Sequence, residues 1–283
     1  MGYHSVFRPD LFAGQTIVVT GGGSGIGRAT AHELALLGAH VVVAGRTLEK
    51  LTAVQQEIIA TGGEATAIVG NIREEEQVRA LFARVLAERG AIHGLVNNAG
   101  GQFLSPAEGI NRKGFTAVVE TNLTGTFLMC REAYNQYMGE HGGVIVNMLM
   151  ENWRGFPGMA HSAAARAGVE NLTKTLAVEW ARSGVRVNAV APGLIESSGL
   201  DKYPEIVRQT LIPQVVQDIP FKRMGTESEV ATVITFLLSP AAAYISGETI
   251  KIDGASSLWR KTWEIEDHKN APTPYNGFEN EAE

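Results

Sequence analysis

The sequence predicts an α/β fold in which helices cover both faces of a mostly parallel sheet. Two observations predict it. Short apolar runs of strand length alternate with longer amphipathic segments, and a glycine-rich turn joins the first run to the first helical segment. Strands that alternate with helices are typical of doubly wound sheets with right-handed crossovers. We therefore expect a single doubly wound domain with a seven-stranded sheet.

The predicted elements follow from where these runs begin and end. The strands are the apolar runs 15–20, 40–45, 65–70, 92–97, 143–148, 185–191 and 248–253. The helices are 25–37, 48–60, 74–88, 112–139, 162–182 and 226–238, with irregular helix over 199–219. The run His40–Gly45 is apolar throughout, as expected of a strand buried on both faces of a parallel sheet. Glycine at 38 is a typical end for the first helix.

Length and composition limit the class of protein. The chain has 283 residues, 45% hydrophobic and 19% charged, which suits one well-packed domain, 15–255, with an N-terminal arm, 1–14, and a C-terminal extension, 256–283. The net charge of −6 and the lack of a basic stripe argue against a nucleic-acid partner. No apolar run reaches membrane-spanning length, and no signal-peptide pattern opens the chain. One cysteine, Cys130, excludes an internal disulfide. We expect a cytoplasmic protein with no membrane partner and no bound metal.

The glycine-rich turn, Thr20–Gly27, reads Thr-Gly-Gly-Gly-Ser-Gly-Ile-Gly. A strand, a glycine turn and a helix in this order form the fingerprint of a dinucleotide-binding βαβ unit in a Rossmann domain. Glycines let the backbone approach a pyrophosphate, and the free N–H groups of the helix start face the anion. The alternative is an ordinary tight turn. The candidate cofactor-binding residues here are Gly21, Gly23, Ser24, Gly25, Ile26 and Gly27.

The end of the second strand indicates which dinucleotide is bound. NAD-binding domains place an Asp or Glu there to hold the ribose 2′-hydroxyl, whereas this chain has Gly45-Arg46-Thr47. The guanidinium of Arg46 suits a phosphate, and the missing carboxylate removes repulsion of a 2′-phosphate. The sequence therefore favours NADP(H) as the cofactor. The alternative is that Arg46 is a solvated surface side chain.

Further motifs resemble the short-chain dehydrogenase/reductase family. Besides the glycine turn, they are Asn97-Asn-Ala-Gly100, Asn122 in Glu-Thr-Asn-Leu-Thr-Gly, and Ala191-Pro-Gly193. The resemblance implies that Gly21, Ser24 and Ile26 hold the pyrophosphate. It also implies contacts with the adenine from Asn71 and Ile72, with the adenosine side from Asn98, Ala99 and Gly100, and with the nicotinamide from Pro192, Gly193 and Ile195. The family likeness further implies a homotetramer built on the long helices.

The catalytic positions differ from the usual pattern of this family. The family places a serine after the fifth strand and Tyr-x-x-x-Lys on the next helix. The frame Ala167-Gly-Val followed by Asn171-Leu-Thr-Lys puts Leu149, Ser162 and Arg166 at those three positions. Ser162 and Arg166 are four residues apart and therefore share one helix face. Arg166 supplies donors to the nicotinamide ribose and a positive charge, but Ser162 cannot replace a phenol of lowered pKa.

The absence of the family's serine, tyrosine and lysine indicates which reaction the site favours. Oxidation of an alcohol needs a base that takes the hydroxyl proton. Hydride addition to the β-carbon of an enoyl thioester instead forms an enolate, which hydrogen-bond donors stabilise while the α-carbon takes its proton from water. A site with Asn122, Ser162 and Arg166 suits the second reaction better.

Longer segments resemble the peroxisomal trans-2-enoyl-CoA reductases. They include Gly100–Glu108, Glu120–Phe127 and the residues from His161 to Lys174. The related 2,4-dienoyl-CoA reductases, which also lack Tyr-x-x-x-Lys, carry a tyrosine fifteen residues before the lysine, where this chain has Glu151. The loop Met150-Glu-Asn-Trp-Arg154 differs from both families, so the substrate stays open at this point.

Four more residues complete the candidate site. Glu151 is a candidate acid or base with a raised pKa, or a solvated loop carboxylate. Gln102 and Phe103 follow the fourth strand, where α/β folds place their ligands, and are candidates for substrate contact together with Trp153. We expect an NADP(H)-dependent reductase of a trans-2-enoyl-CoA. The alternatives are an alcohol or carbonyl oxidoreductase acting on a medium-chain or terpenoid substrate, with Glu151 handling the proton, and a nucleotide-binding sensor or assembly subunit without catalysis.

Overall fold

The computed structural model describes residues 3–197, 200, 205–260, 263–266 and 272–278. Its strands are β1 Thr16–Thr20, β2 His40–Gly45, β3 Glu64–Val69, β4 Gly94–Asn97, β5 Gly143–Met148, β6 Val185–Pro192, β7 Ile195–Glu196, β8 Gly225–Thr226 and β9 Thr249–Ile252. Its helices are α1 Gly25–Leu36, α2 Leu48–Ala60, α3 Glu75–Arg89, α4 Arg112–Val119, α5 Gly125–Ala133, α6 Gly139–His141, α7 Ala160–Glu179, α8 Ile212–Asp218 and α9 Glu227–Leu238.

Seven strands form one sheet in the order β3-β2-β1-β4-β5-β6-β9, and every neighbouring pair is parallel. The predicted doubly wound seven-stranded sheet is confirmed. The strand order reverses between β1 and β4, where Val19 lies opposite Val96. In such sheets ligands bind beyond the carboxyl ends of the strands at this reversal. The glycine turn and the loop after β4 therefore flank the expected crevice.

Alternate residues of the strands pack against helices on opposite faces of the sheet. Ile17 and Val43 belong to a core shared with α1, α2 and α9, whereas Val18 and Val42 belong to a core shared with α3, α5 and α7. All four side chains are at most 1% exposed. Burial on both faces explains why the strands are continuous apolar runs with no polar alternation. No helix in the described ranges is both long and apolar enough to cross a bilayer.

The predicted helix 112–139 is helical throughout, but it is not a regular α-helix. A π-helical turn, Glu120–Thr124, joins α4 to α5, and a second, Tyr134–Met138, joins α5 to α6. Each π turn adds a residue to one helical turn and is common at functional sites. The first turn contains Asn122, which is fully buried. Sequence periodicity did not predict either π turn, because apolar spacing alone does not distinguish a regular α-helix of 3.6 residues per turn from one with a locally wider turn.

The two ends of the described chain meet over α1. His4 N donates to the Gly277 carbonyl at 2.8 Å, and Gly277 N donates to Ser228 Oγ at 3.0 Å. Glu33 on α1 is fully buried and accepts hydrogen bonds from Ser5 and Tyr275. Residues 272–278 of the C-terminal extension therefore pack against this chain's own N-terminal arm.

Smaller differences also separate the structure from the predicted elements. The fourth strand begins at Gly94 and not at residue 92, because Thr16 N donates to the side-chain Nδ1 of His93 at 2.9 Å and not to a backbone carbonyl. The pair β7–β8 is absent from the prediction, since two-residue strands carry no periodic signal. Of the predicted irregular helix 199–219, positions 199 and 201–204 lie outside the described residues. The part from 205 onward contains a π-helical turn, Val207–Leu211, followed by α8.

Candidate active site

The turn between β1 and α1 is shaped for close approach of an anion. Gly21 and Gly25 have φ values of +66° and +60°, which favour glycine. A Cβ at Gly21 would lie 2.8 Å from Asn98 Nδ2, and one at Gly27 would overlap the Gly21 carbonyl oxygen. Ser24 stands at the N-cap of α1 and its side chain caps no backbone N–H. The free N–H groups at the start of α1 therefore fit a pyrophosphate.

Asn98 stabilises this turn through its side chain. Its Nδ2 donates to the carbonyl oxygens of Thr20 and Gly21, at 2.9 and 3.3 Å. The next residue, Ala99, donates its backbone N–H to Thr20 Oγ1 at 3.0 Å. The end of β4 is thereby fixed to the glycine turn, so the two segments that flank the crevice form one unit.

The adenine-side candidates lie after β2 and β3. Arg46 is exposed and makes no ion pair with any described residue, so its guanidinium is free for a phosphate. Asn71 accepts a hydrogen bond from Arg73 N at 3.3 Å through its side-chain oxygen. Ile72 packs against Gly125 at the start of α5, where a Cβ would lie 2.8 Å from its side chain. These positions form the rim of the crevice on the β2–β3 side.

Arg166 is a buried cation at the centre of the site. Its side chain is 6% exposed, Nη1 donates to the Met148 carbonyl, and no carboxylate among the described residues pairs with it. Its Nε has no hydrogen-bond partner there either. Burial lowers the pKa of Arg166 to about 10, so the guanidinium stays protonated at neutral pH. A buried cation with spare donors and no counter-charge fits a ligand that carries oxygen atoms or negative charge.

The loop after β4 lies directly against this cation. A Cβ at Gly100 would overlap Arg166 Nη2 and would lie 2.7 Å from Asn122 Oδ1. Asn122 Oδ1 accepts from Gly101 N, and Asn122 Nδ2 donates to the Gly101 carbonyl, both at 2.9 Å. Asn122 thus fixes the conformation of the loop, and the π turn carries its side chain to that position.

Ser162 lies one turn before Arg166 on α7. Its hydroxyl is buried and donates to Gln102 Oε1 at 2.8 Å. The neighbouring His161 is fully buried, its Nδ1 accepts from Ser162 N at 2.7 Å, and its ring meets Phe103 edge-on with centroids 4.3 Å apart. Burial lowers the pKa of His161, so the ring is neutral at pH 7. The predicted site residues Gln102, Phe103, Asn122, Ser162 and Arg166 therefore form one cluster.

Glu151 and Trp153 contact residues outside this cluster. Ser256 Oγ donates to Glu151 Oε2 at 3.1 Å, and Lys251 Nζ lies 4.0 Å from the centre of the Trp153 ring. Burial raises the pKa of Glu151, and the Asp253 carboxylate adds to this rise. The structure therefore joins Trp153 to β9 and Glu151 to the loop after it, while no described hydrogen bond links Glu151 to Ser162 or Arg166.

Pro192, Gly193 and Ile195 lie where β6 ends. Gly193 N donates to the Ile252 carbonyl at 3.0 Å, and a Cβ at Gly193 would lie 2.9 Å from Asp253 Cα. A cavity of about 300 Å³ opens beside this segment. Its apolar lining includes Leu194, Ile219, Phe221 and Ile252, and its polar lining includes Arg223, Glu229, Lys251 and Asp253.

A buried polar network under the site was missed at the level of sequence. Asn97 Nδ2 donates to Asn147 Oδ1 at 2.9 Å, and Asn147 Nδ2 donates to Thr173 Oγ1 at 2.9 Å. Cys130 lies beside it, with Asn97 Nδ2 3.1 Å from its sulfur, and burial raises the pKa of this thiol to about 12. A signal was available, since an asparagine stands at or next to the end of each of two apolar strands, Asn97 in β4 and Asn147 in β5, and the two pair in the sheet.

The chain is similar to known oxidoreductases over most of its length. Residues 21–256 match the family model described as enoyl-(acyl carrier protein) reductase. The chain is 38% identical over 248 residues (86% of this chain, 97% of the relative) to a Bacillus subtilis protein named "Probable 2,4-dienoyl-CoA reductase, (2E)-enoyl-CoA-producing". It is 36% identical over 257 residues (90% and 87%) to the peroxisomal 2,4-dienoyl-CoA reductase, (3E)-enoyl-CoA-producing, of Mus musculus. A solved citronellol catabolism dehydrogenase from Pseudomonas aeruginosa PAO1 shares 57% identity with a TM-score of 0.82, covering 90% of this chain and 100% of that one.

Proposed function

Because the chain belongs to the short-chain dehydrogenase/reductase family, whose members use a nicotinamide cofactor, we propose that it reduces the C=C bond of a trans-2-enoyl-CoA with NADP(H). One observation carries the proposal. Arg166, a buried cation with no carboxylate partner in the described part of the chain, lies against a loop held by Asn122, and neither a tyrosine nor a lysine stands beside it on α7. Such a site is built to stabilise negative charge on an oxygen atom.

The residues of the crevice fit a phosphorylated dinucleotide. The glycine turn and the start of α1 would hold the pyrophosphate, and the unpaired Arg46 would bind a 2′-phosphate. Arg166 would donate to the nicotinamide ribose. When bound, the cofactor supplies the hydride that the substrate receives.

The protein groups act on the substrate oxygen. As the β-carbon of an enoyl thioester gains the hydride, the electron pair of the C=C bond moves toward the carbonyl and leaves an enolate. Protonated Arg166 would lower the energy of that enolate by electrostatic attraction from its buried position. The α-carbon then takes a proton from water, and the C=O bond re-forms.

The proton groups of the site favour this reaction over alcohol oxidation. An alcohol that loses hydride must also give its hydroxyl proton to a base. The Ser162 hydroxyl is a donor to Gln102, the His161 Nδ1 is occupied by a backbone N–H, and the Glu151 carboxylate bonds Ser256, with no hydrogen bond to Ser162 or Arg166. The described cluster around Arg166 therefore offers donors and a cation, and Glu151 lies outside it.

A second function is favoured by one specific observation. The solved relative of 57% identity is named for citronellol catabolism, so an alcohol or carbonyl of a medium-chain or terpenoid compound is an alternative substrate. Glu151, whose pKa is raised by burial, would then be the proton carrier. In that case Glu151→Gln would abolish activity, whereas for C=C reduction we expect this variant to retain it.

The test compares substrates on the purified protein. The proposal is supported if the protein consumes NADPH with crotonyl-CoA and trans-2-decenoyl-CoA and forms the saturated acyl-CoA. NADP⁺ reduction with citronellol that depends on Glu151 supports the alternative. Cofactor binding with no turnover of either class would contradict both and favour a sensor or assembly subunit.

We also propose a homotetramer. Phe115 on α4, Phe127 on α5 and Val178 on α7 are large apolar side chains that are 41%, 39% and 79% exposed. Exposed apolar side chains on long helices are typical of surfaces that pair with another copy. Light scattering after gel filtration tests this, and a monomeric mass would contradict it.

A further inference from the structure

We propose that the carboxamide of Gln102 is the hydrogen-bond donor that holds the thioester carbonyl oxygen of the substrate, and that Ser162 fixes its orientation. This inference rests on the proposed reduction of an enoyl thioester. It gives the direct contact with the substrate to Gln102, on the loop after β4, and a positioning role to Ser162.

The loop that carries Gln102 is anchored on both sides. On one side, the Asn122 side chain bonds both the N–H and the carbonyl of Gly101 at 2.9 Å. On the other side, Ser105 N donates to the Gly158 carbonyl at 2.9 Å. A loop held at two backbone points loses little further freedom when a ligand binds, and the bond from Ser162 restrains the side chain of Gln102 itself.

Ser162 determines which end of the Gln102 amide is available. The hydroxyl of Ser162 donates to Gln102 Oε1 at 2.8 Å and is itself buried. Gln102 Nε2 makes no hydrogen bond to any other described group, and the residue is exposed. Because Oε1 is held by Ser162, the N–H groups of Nε2 are the part of the amide left without a described partner.

A donor of this kind suits a carbonyl oxygen that becomes an enolate. Its N–H groups attract the growing negative charge without needing to lose a proton. Arg166 lies one helical turn from Ser162 and packs against Gly100, two residues before Gln102, so the cation and the amide flank the same part of the crevice. An amide N–H cannot accept the proton of an alcohol, so the Gln102–Ser162 pair selects against alcohol oxidation.

The experiment replaces the free donor with an acceptor of the same shape. In Gln102→Glu the Ser162 hydroxyl still has an acceptor, but the free end of the side chain becomes a carboxylate oxygen. We expect kcat/KM for crotonyl-CoA to fall about 100-fold, mainly in kcat, because a donor that acts on the enolate is lost. The Kd for NADPH and the Tm should stay close to those of the wild type. Gln56→Glu, the same change on the exposed face of α2, is the matched control and should behave as the wild type.

The role of Ser162 is tested by coupling. Ser162→Ala should lower kcat/KM about tenfold in the wild type and less than about twofold in the Gln102→Glu background, because both residues act through one carboxamide. Effects that multiply would contradict the positioning role. A spectroscopic readout is independent of turnover: the C=O stretch of crotonyl-CoA bound together with NADP⁺ should shift to lower frequency in the wild type and in Gln56→Glu, and less in Gln102→Glu.

The outcomes separate this inference from the proposed function. A wild type that reduces crotonyl-CoA, with Gln102→Glu equally active and equal in its C=O frequency, would overturn the assignment of Gln102 and leave the proposed function intact. A wild type that binds NADPH but reduces no enoyl-CoA would overturn both.

Discussion

The carboxamide of Asn122 forms two hydrogen bonds with one residue, accepting from Gly101 N and donating to the Gly101 carbonyl, each at 2.9 Å. Asn122→Asp keeps the acceptor and places a carboxylate oxygen against the carbonyl. We expect kcat/KM to fall about 10- to 100-fold, since one hydrogen bond becomes a repulsion in a buried site.

Steady-state kinetics with crotonyl-CoA measures this loss. The matched control is Asn111→Asp, because the Asn111 side chain caps α4 by accepting from Gly114 N, which an aspartate does equally well. Equal activity of the two variants would show that the Gly101 contact is not needed.

The glycine at position 100 is expected to be irreplaceable while its neighbour is not. In Gly100→Ala the added methyl overlaps Arg166 Nη2 and lies 2.7 Å from Asn122 Oδ1, whereas at Gly101 an added Cβ meets no atom within 4 Å. We expect Gly100→Ala to weaken NADPH binding about tenfold or more and to reduce turnover further. Gly101→Ala should lose less than about threefold. Fluorescence titration of NADPH compares the two, and similar binding would contradict the placement of Arg166.

Replacing Arg166 tests whether its positive charge is needed for activity and whether loss of its proton limits activity at high pH. Because burial lowers the pKa of Arg166 to about 10, the protonated form holds below that pH and activity should fall as the pH rises through it. Arg166→Met should lose about 100-fold or more in kcat/KM. Arg166→Lys should keep part of it. The ordinary pKa of lysine is about two units below that of arginine. The activity of Arg166→Lys should therefore begin to fall about two pH units lower than that of the wild type. A pH–rate profile that is the same for arginine and lysine would rule out titration at this position.

Arg46 should decide between the two dinucleotides. In Arg46→Asp an exposed, unpaired cation becomes an anion that repels a 2′-phosphate and accepts from a 2′-hydroxyl. We expect the Kd for NADPH to rise about 100-fold and that for NADH to stay the same or fall. Arg8→Asp, the same charge change on the exposed N-terminal arm, is the control. Titration calorimetry with both cofactors measures the ratio, and an unchanged ratio would remove Arg46 from the cofactor site.

Glu33 should make the fold less stable as the pH rises. Burial raises the pKa of Glu33, so the folded protein binds a proton at pH values where the unfolded chain has lost it. The stabilisation is complete below the unfolded pKa of about 4.5 and is lost as the pH rises through the folded pKa. Glu33→Gln should therefore raise Tm at pH 8, with the gain shrinking toward pH 4. Glu108→Gln, at an exposed carboxylate, should change Tm little at either pH. A gain that is the same at pH 4 and pH 8 would argue against this titration.

Sequence reasoning predicted the parts of the site that depend on local pattern. The glycine turn follows from spacing alone, and the shared face of Ser162 and Arg166 follows from helical geometry. Contacts between distant segments were not predictable in this way. The hydroxyl of Ser162 reaches Gln102 only because the loop after β4 folds back over α7. Glu151 meets Ser256 because two loops separated by 105 residues converge beyond the sheet.

The π turn Glu120–Thr124 has a consequence for how this chain can tolerate change in length. A π turn holds one residue more than a regular turn, so deleting a residue there would restore an ordinary α-helix and leave the fold continuous. The part of the helix on one side would then be rotated by about 100° relative to the other. The Asn122 side chain would then no longer reach Gly101. A protein that had lost this one codon would still fold, but its candidate active site would be disrupted.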